Sequence, residues 1–216
     1  MLVKTTLILL FSAFLFLVSC RRPQTAYYEN GQPEYEIEVR NGKYHGEAVW
    51  YFPNGKVKQT CVYADNKLNG KLVRYHSNGK PQLEEFYSMG LRNGESISYY
   101  ITGKRESLKT YRNDTLNGPY KAYHIHGEKK VEGNYSDGLF SGRWLYYDID
   151  GAVIGIGEFS EGSGKHRAWY KNGQLQREVG YRNNKKNGEE KWWRMDGSLE
   201  KVIIYNEGEV EKTITY

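Results

Sequence analysis

The sequence has few cysteines, few prolines and no hydrophobic run long enough to cross a membrane as a helix. The longest apolar-dominated run, residues 7–18, has 12 residues, whereas a membrane-spanning helix needs about 20. Only Cys20 and Cys61 are present, which excludes a disulfide-rich scaffold. Helical periodicity is also absent after residue 20. The mean hydropathy of −0.78 argues against a thick apolar interior.

Aromatic residues are abundant by contrast, with 20 Tyr, 7 Phe and 5 Trp. Disordered chains are poor in aromatics, so this content favours a folded protein. Tyrosine combines an apolar ring with a hydroxyl that can remain hydrated, and it therefore suits a half-exposed surface. The composition predicts an extended, thin structure.

The N-terminal residues indicate export. A lysine precedes the apolar run 7–18, which has the length of the core of a secretory signal. The run ends in Leu17-Val18-Ser19-Cys20, which resembles the lipobox of bacterial lipoproteins. This resemblance implies that residues 1–19 are a signal peptide, that the Cys20 thiol is acylated, and that residues 20–26 form a lipidated tether. An ordinary signal peptide with an incidental cysteine is the alternative.

The lipobox resemblance also implies a location in the bacterial cell envelope. Arg21 and Arg22 follow Cys20 directly and do not form an acidic export tag. We therefore expect a lipid-anchored protein of the outer membrane that faces the periplasm. Cys61 lies an even number of residues from Val57 and Tyr63, at an apolar position of the alternating pattern. It is therefore predicted to be a small buried hydrophobic residue.

Glycines and aromatics recur with a period of 24 residues, which predicts a repeat protein. The first glycine series comprises Gly31, Gly55, Gly79, Gly103, Gly127, Gly151, Gly173 and Gly197. The second series, always nine residues before a member of the first, comprises Gly46, Gly70, Gly94, Gly118, Gly142, Gly164 and Gly188. One aromatic column lies four residues before each first-series glycine: Tyr27, Tyr51, Tyr75, Tyr99, Tyr123, Tyr147, Trp169 and Trp193. A second column lies eight residues after it: Val39, Tyr63, Tyr87, Tyr111, Tyr135, Phe159, Tyr181 and Tyr205.

Each repeat has the pattern of a β-hairpin. Residues 47–52 and 57–63 are predicted strands, joined by a turn at Asn54-Gly55 whose residues can take the positive φ that tight hairpins require. Val57, Cys61 and Tyr63 share one phase of a period of two, which places the second aromatic column on one face of a sheet. The segment "ADNKLNG" is predicted to be a looser link to the next hairpin.

The repeated Tyr-x-x-Asn-Gly pattern, with the second aromatic column and the second glycine series, resembles MORN repeats in the bacterial variant found in YwqK-like proteins. The resemblance covers residues 27–216, or about seven and a half units. It implies an all-β fold, namely an elongated single-layer antiparallel meander of stacked hairpins. It also implies protein-interaction or membrane-associated roles without catalysis. YwqK-like proteins are often labelled antitoxins of toxin–antitoxin systems.

We therefore expect a non-enzymatic, membrane-anchored lipoprotein that acts as a protein-interaction or scaffold module with an unknown envelope protein. An antitoxin or immunity protein that neutralises a toxin is one alternative, and a phospholipid-binding module is another. No catalytic residue, cofactor or metal site is predicted; His124 and His126 share a predicted strand face and leave only a weak metal site as an alternative. Nucleic acid is not an expected partner, because the net charge of +5 is modest.

Lys56, Lys80 and Lys104 recur at one turn position in three consecutive hairpins. Their spacing predicts a ladder of positive charges about 10 Å apart. This ladder is the candidate contact with anionic lipid or an acidic partner. Solvated turn residues without a binding role are the alternative.

One unit is two residues shorter than the others, because Gly151 and Gly164 are 13 residues apart where the other units have 15. We expect the missing residues to shorten the link after Phe159. Gly155 and Gly157 lie in a strand phase that elsewhere carries larger side chains, which predicts a shallow notch. Trp144 and Trp169 would flank this notch, and these four residues form the candidate partner-binding site. A harmless deletion absorbed by the loop is the alternative.

Overall fold

The computed structural model describes residues 23–216, which form one sheet of 19 strands. The predicted signal peptide and the lipidation site Cys20 lie outside these residues. The strands are β1 (Gln24–Tyr27), β2 (Pro33–Arg40), β3 (Lys43–Tyr51), β4 (Val57–Ala64), β5 (Lys67–Leu68), β6 (Gly70–Tyr75), β7 (Pro81–Ser88), β8 (Leu91–Tyr99), β9 (Arg105–Arg112), β10 (Thr115–Leu116), β11 (Gly118–Tyr123), β12 (Lys129–Ser136), β13 (Leu139–Tyr147), β14 (Val153–Ser160), β15 (Ser163–Trp169), β16 (Leu175–Arg182), β17 (Lys185–Trp193), β18 (Leu199–Asn206) and β19 (Glu209–Thr215).

All pairings are antiparallel and join neighbours along the chain, which confirms the predicted meander of hairpins. β4 pairs with both β5 and β6, and β9 pairs with both β10 and β11, because a short irregularity divides the returning strand. The sheet is open, since within the described residues β1 pairs only with β2 and β19 only with β18. β1 begins at Gln24, so residues 24–26 belong to the first strand and not to a tether.

In the Asn-Gly turns, the glycine takes the positive φ and the asparagine side chain accepts a backbone hydrogen bond. In the turn after β3, Gly55 has a φ of 77° and donates its N–H to the carbonyl of Phe52 at 2.8 Å. Asn54 does not take a positive φ, which differs from the prediction. Its carboxamide oxygen instead accepts the N–H of Lys56 at 3.1 Å, so the asparagine closes the turn with its side chain.

The links between hairpins are tight two-residue turns, and the prediction of a looser link was wrong. Both turn residues have positive φ in every case, as type I′ hairpin turns require. The pairs are Asn41-Gly42, Asp65-Asn66, Met89-Gly90, Asn113-Asp114, Asp137-Gly138, Glu161-Gly162, Asn183-Asn184 and Glu207-Gly208. Every residue of these eight pairs has a left-handed backbone conformation. The chain therefore reverses in tight turns at both ends of the strands.

The glycines of the second series lie at bulges or at breaks in the strands, with Gly164 as the exception. In the pairing of β7 with β8 the register shifts between Glu85 and Tyr87, and Gly94 on the opposite strand has a φ of 118°. A Cβ at Gly94 would also lie 3.4 Å from the Cβ of Phe86. The distance of 3.4 Å is an ordinary van der Waals contact, so glycine is favoured at this bulge by its backbone conformation.

The short unit lacks this bulge. β14 and β15 pair in one uninterrupted register from Gly155↔Ala168 to Ser160↔Ser163. The turn at Glu161-Gly162 has the same two-residue form as the others. The two missing residues are thus missing from the start of β15, and the predicted shortening of the turn was wrong.

The first part of the sheet has a compact hydrophobic core of Ile37, Ala48, Cys61 and Leu72, with Tyr35, Tyr44, Trp50, Tyr63, Leu68 and Tyr87 packed against it. Cys61 is a free, buried thiol, and burial raises its pKa to about 11. No helix long and apolar enough to cross a membrane is found among residues 23–216.

Candidate functional site

One face of the sheet carries the second aromatic column and most of the buried side chains, and we call it the aromatic face. Its middle is a row of residues that lie opposite one another on successive strands, here named the central row. The central row comprises Ile37, Ala48, Cys61, Leu72, Glu85, Ser96, Lys109, Tyr120, Gly133, Trp144, Gly157, His166, Val179, Glu190 and Ile203. Side chains two positions before and after a central-row residue share this face, because side chains alternate along a strand.

The tyrosine column packs along one side of the central row and is partly withdrawn from water. Burial is the main reason why the pKa values of Tyr63, Tyr87 and Tyr135 are raised to about 12. Some of these rings contact aromatic rings on a neighbouring strand; Tyr63 and Tyr44, for example, have centroids 5.6 Å apart. These tyrosines are therefore held in fixed positions while part of each ring reaches the surface.

Two carboxylates of the central row are buried and locally compensated. Glu190 is 1% exposed and accepts hydrogen bonds from Arg177 Nε and from Lys186 Nζ, the latter at 2.8 Å. Glu85 accepts the Tyr87 hydroxyl at 2.8 Å and the Ser96 hydroxyl at 3.2 Å. Burial opposes ionisation of Glu190, but its two cations and nearby hydroxyl hold its pKa below the usual range.

Cations also stack on rings of the aromatic face. The Arg92 guanidinium lies 4.1 Å from the centroid of the Tyr111 ring. Arg177 Cζ and Lys201 Nζ each lie 4.9 Å from the centroid of the Trp192 ring. Trp192 lies between them, on the central one of three neighbouring strands. These charges were not predicted from the sequence. Their signal was available, because Arg177 lies in the same alternating phase as Leu175, Val179 and Tyr181.

Large rings lean over the glycines of the aromatic face, so the predicted notch is filled. A Cβ at Gly157 would lie 2.3 Å from Cε2 of Phe159. A Cβ at Gly155 would lie 2.9 Å from Nε2 of His166. Trp144 covers Gly133 in the same way and stacks on Tyr120 with centroids 5.4 Å apart.

The two predicted tryptophans do not flank a common site. Trp144 is buried in an aromatic cluster with Tyr120, Tyr135 and Phe140. Trp169 follows Ala168 and lies on the opposite face, beside a surface depression that Asp148 and Lys171 also line. The partner-binding role of Trp144, Gly155, Gly157 and Trp169 stays a prediction, although Trp144 offers almost no surface to a partner.

His166 is the histidine that sequence reasoning did not single out. It is 8% exposed, and its ring centroid is 4.5 Å from that of Tyr146. Burial, with a smaller effect from Arg177, lowers its pKa to about 4, so the imidazole is neutral at physiological pH. His124 and His126, by contrast, lie at the turn between β11 and β12 and not on a strand face. Residues 23–216 contain no group of three side chains suited to hold a metal ion.

The three predicted lysines form a ladder that connects successive turns. Lys56 Nζ donates to the carbonyl of Ser77 at 3.3 Å, and Lys80 Nζ to that of Thr102 at 2.6 Å. Lys104 Nζ donates to the carbonyl of His126. Each ammonium thus lies at the next turn and is partly used by the array itself, while all three residues remain exposed.

Comparison with known proteins identifies the repeats. Four segments, residues 23–41, 44–65, 68–89 and 163–183, match the MORN repeat variant. No curated protein matches the chain. A chain in the crystal structure of TcdB2-TccC3-Cdc42 is similar at 13% sequence identity and a TM-score of 0.24, over 84% of this chain and 12% of that chain. The protein is therefore a β-hairpin repeat protein in which four segments match the MORN repeat variant.

Proposed function

We propose that this protein is a non-catalytic binding module of the bacterial envelope whose aromatic face receives a protein partner. The observation that carries this proposal is the column of half-buried tyrosines on one face, with Trp50, Trp192 and Arg177 half-buried on the same face. These residue types contribute most of the binding energy at protein interfaces. Because the rings already pack against one another, little side-chain entropy is lost when a partner covers them.

The proposal is tested by comparing the two faces of the sheet. Tyr35 and Trp50 are half-buried on the aromatic face, whereas Phe86 is exposed on the opposite face. Tyr35→Ser with Trp50→Ser should abolish capture of a specific protein from envelope extracts, and Phe86→Ser should leave capture unchanged. Equal capture by both variants, each shown to be folded by circular dichroism, would contradict the proposal.

The identity of a captured partner separates the scaffold role from the antitoxin alternative. A toxin would bind the same face under the antitoxin alternative, and the chain would relieve growth arrest when the two are produced together. A scaffold partner would give no such rescue. Both roles need the same binding surface and differ only in what covers it.

Membrane attachment through Cys20 is part of the proposal, and the motif Leu17-Val18-Ser19-Cys20 supports it. A single acyl chain binds membranes only marginally, whereas two or more chains anchor a protein firmly. Cys20→Ala should therefore move the protein from the membrane fraction to the soluble fraction, and Cys61→Ala is the matched control. Membrane retention of Cys20→Ala at high salt would contradict lipidation.

A phospholipid-binding role is the second candidate. It is favoured by the row of hairpin turns along one side of the sheet, here named the turn edge. Ile101, Ile125 and Ile149 occupy the same position of three consecutive turns and are 55%, 48% and 54% exposed. Lys80 and Lys104 each place an ammonium at one of these turns. Apolar tips beside positive charges are suited to the interface of an anionic bilayer.

This candidate is tested in the Cys20→Ala background, where the lipid anchor is absent. Replacement of the three isoleucines by serine should reduce flotation with phosphatidylglycerol vesicles. Serine replacements at Val62, Phe86 and Val210, which are exposed elsewhere, provide the control. Equal flotation of the two triple variants would exclude insertion of the turn edge.

A further inference from the structure

The aromatic face is markedly basic, although the described chain is nearly neutral. The central row and the positions beside it on the same face carry Arg74, Arg92, Lys109, Arg177, Lys186 and Lys201. The acidic residues at these positions are Glu85 and Glu190. Arg92 forms an ion pair with Asp114 of the neighbouring turn at 2.8 Å, so five positive and two negative charges remain and give this face +3. Residues 23–216 as a whole have 28 basic and 26 acidic residues, or +2.

Both carboxylates that the strands place on this face are buried, so the strand residues expose only positive charges there, and Asp114 of a turn pairs with one of them, Arg92. Glu190 is enclosed by Arg177 and Lys186, and Glu85 by hydroxyl groups. Lys109 and Lys201 have no acidic side chain within 4.0 Å among the described residues, because the ion pairs of this region involve other lysines and arginines. The exposed electrostatic character of the aromatic face is therefore positive.

The positive charge is concentrated at the C-terminal part of the face, around Trp192. Arg177, Trp192 and Lys201 lie side by side on β16, β17 and β18, and both cations contact the indole ring. With Lys186 and Glu190, this corner has a net charge of +2. Arg177 and Lys201 are two strands apart, or about 10 Å, and their contacts with the ring hold them in place.

We infer that the aromatic face binds an acidic segment of a protein partner, with the Arg177–Trp192–Lys201 corner as its strongest contact. This inference rests on the proposed function and adds the chemistry of the partner. Carboxylates of the partner pair with Lys201, Lys109 and the free edge of Arg177, while its backbone and apolar atoms cover the rings. Such complementarity raises the rate of association and excludes basic partners.

The test uses isothermal titration calorimetry with the full chain and two synthetic 20-residue peptides. One peptide alternates Glu with Ser, and the other alternates Gln with Ser and has the same length. The Glu peptide should bind at least about tenfold more tightly at about 50 mM salt. This preference should shrink at about 300 mM salt, because partly exposed charges are then screened.

Charge-reversal variants locate the contact. Lys109→Glu with Lys201→Glu should weaken binding of the Glu peptide by at least about fivefold. Lys58→Glu with Lys212→Glu changes the net charge equally, but these lysines are exposed on the opposite face. This control should bind within about twofold of the original chain.

Three results would overturn the inference. Equal binding of the Glu and Gln peptides would show that the face does not prefer acidic partners, while the proposal of a protein-binding face would stand. Equal loss in the two charge-reversal variants would mean that only net charge matters. Absence of peptide binding, combined with loss of phosphatidylglycerol vesicle binding in Lys109→Glu with Lys201→Glu, would assign the basic face to lipid. Failure of the serine test on Tyr35 and Trp50 would instead remove the proposed function itself.

Discussion

Asn184 bridges to Gly138, 46 residues earlier in the chain, across the short unit between them. Its Nδ2 donates to the Gly138 carbonyl at 2.8 Å, and its Oδ1 accepts the N–H of Phe140 at 2.7 Å. The equivalent Asn66 spans one unit and accepts a single bond from the N–H of Tyr44 at 2.8 Å. The missing bulge of β15 thus brings two units together that would otherwise be separated.

The Asn184 bridge should contribute measurably to stability. Asn184→Gly removes both side-chain bonds while keeping a residue that tolerates the positive φ of this position. We expect a loss of about 2 kcal/mol in the free energy of unfolding, at about 1 kcal/mol for each bond. Asn66→Gly, which removes one bond, should cost about half as much. Urea unfolding measures both, and equal losses would show that the bridge adds nothing.

Gly162 should be required because of Asn184. A Cβ at Gly162 would lie 2.8 Å from Asn184 Oδ1 and 2.9 Å from its backbone nitrogen. Gly173 has a similar positive φ, 86° against 71°, but nothing within 4 Å of a Cβ. Gly162→Ala should therefore lower the free energy of unfolding by at least about 1 kcal/mol more than Gly173→Ala. Equal effects would mean that backbone strain alone accounts for both.

Gly157 should be required because Phe159 covers it. Gly157→Val alone should destabilise strongly, by about 3 kcal/mol, since a Cβ would overlap the Phe159 ring. Phe159→Ala alone should cost a similar amount through loss of packing. The double variant should be more stable than the sum of these losses predicts, because valine then fills the vacated space. Additive losses in thermal and urea unfolding would contradict the contact.

His166 should make stability fall in mild acid. Its pKa is lowered to about 4 in the folded state, and it is about 6.5 in an unfolded chain. As the pH falls below about 6.5 the unfolded chain takes up a proton that the folded chain refuses, so folding loses up to about 2 kcal/mol between pH 7 and pH 5. His166→Leu should remove this part of the pH dependence, and His126→Gln, at an exposed turn, should retain it. An unchanged slope in His166→Leu would show that the imidazole is not buried.

The repeat pattern was sufficient to predict the hairpin meander. Tight turns need glycine or asparagine at fixed positions, and alternation places Val57, Cys61 and Tyr63 on one face regardless of the rest of the molecule. These are local requirements of the backbone, and the sequence records them directly. The turn pairs Asn41-Gly42 and Asp137-Gly138 carried the same kind of signal for the links between hairpins.

Only the tertiary structure decided how the faces are filled and where charges meet. The deletion near Gly164 removes a bulge and not a turn. A two-residue turn cannot be shortened further, whereas a bulge can be lost without interrupting the backbone hydrogen bonds between β14 and β15. The sequence predicted a notch on the surface at Gly157, but the ring of Phe159 fills this space. Arg177, Trp192 and Lys201 are distant in the chain and become neighbours only through strand register. The chain itself thus determined which residues share a face, and packing between strands determined which of them touch.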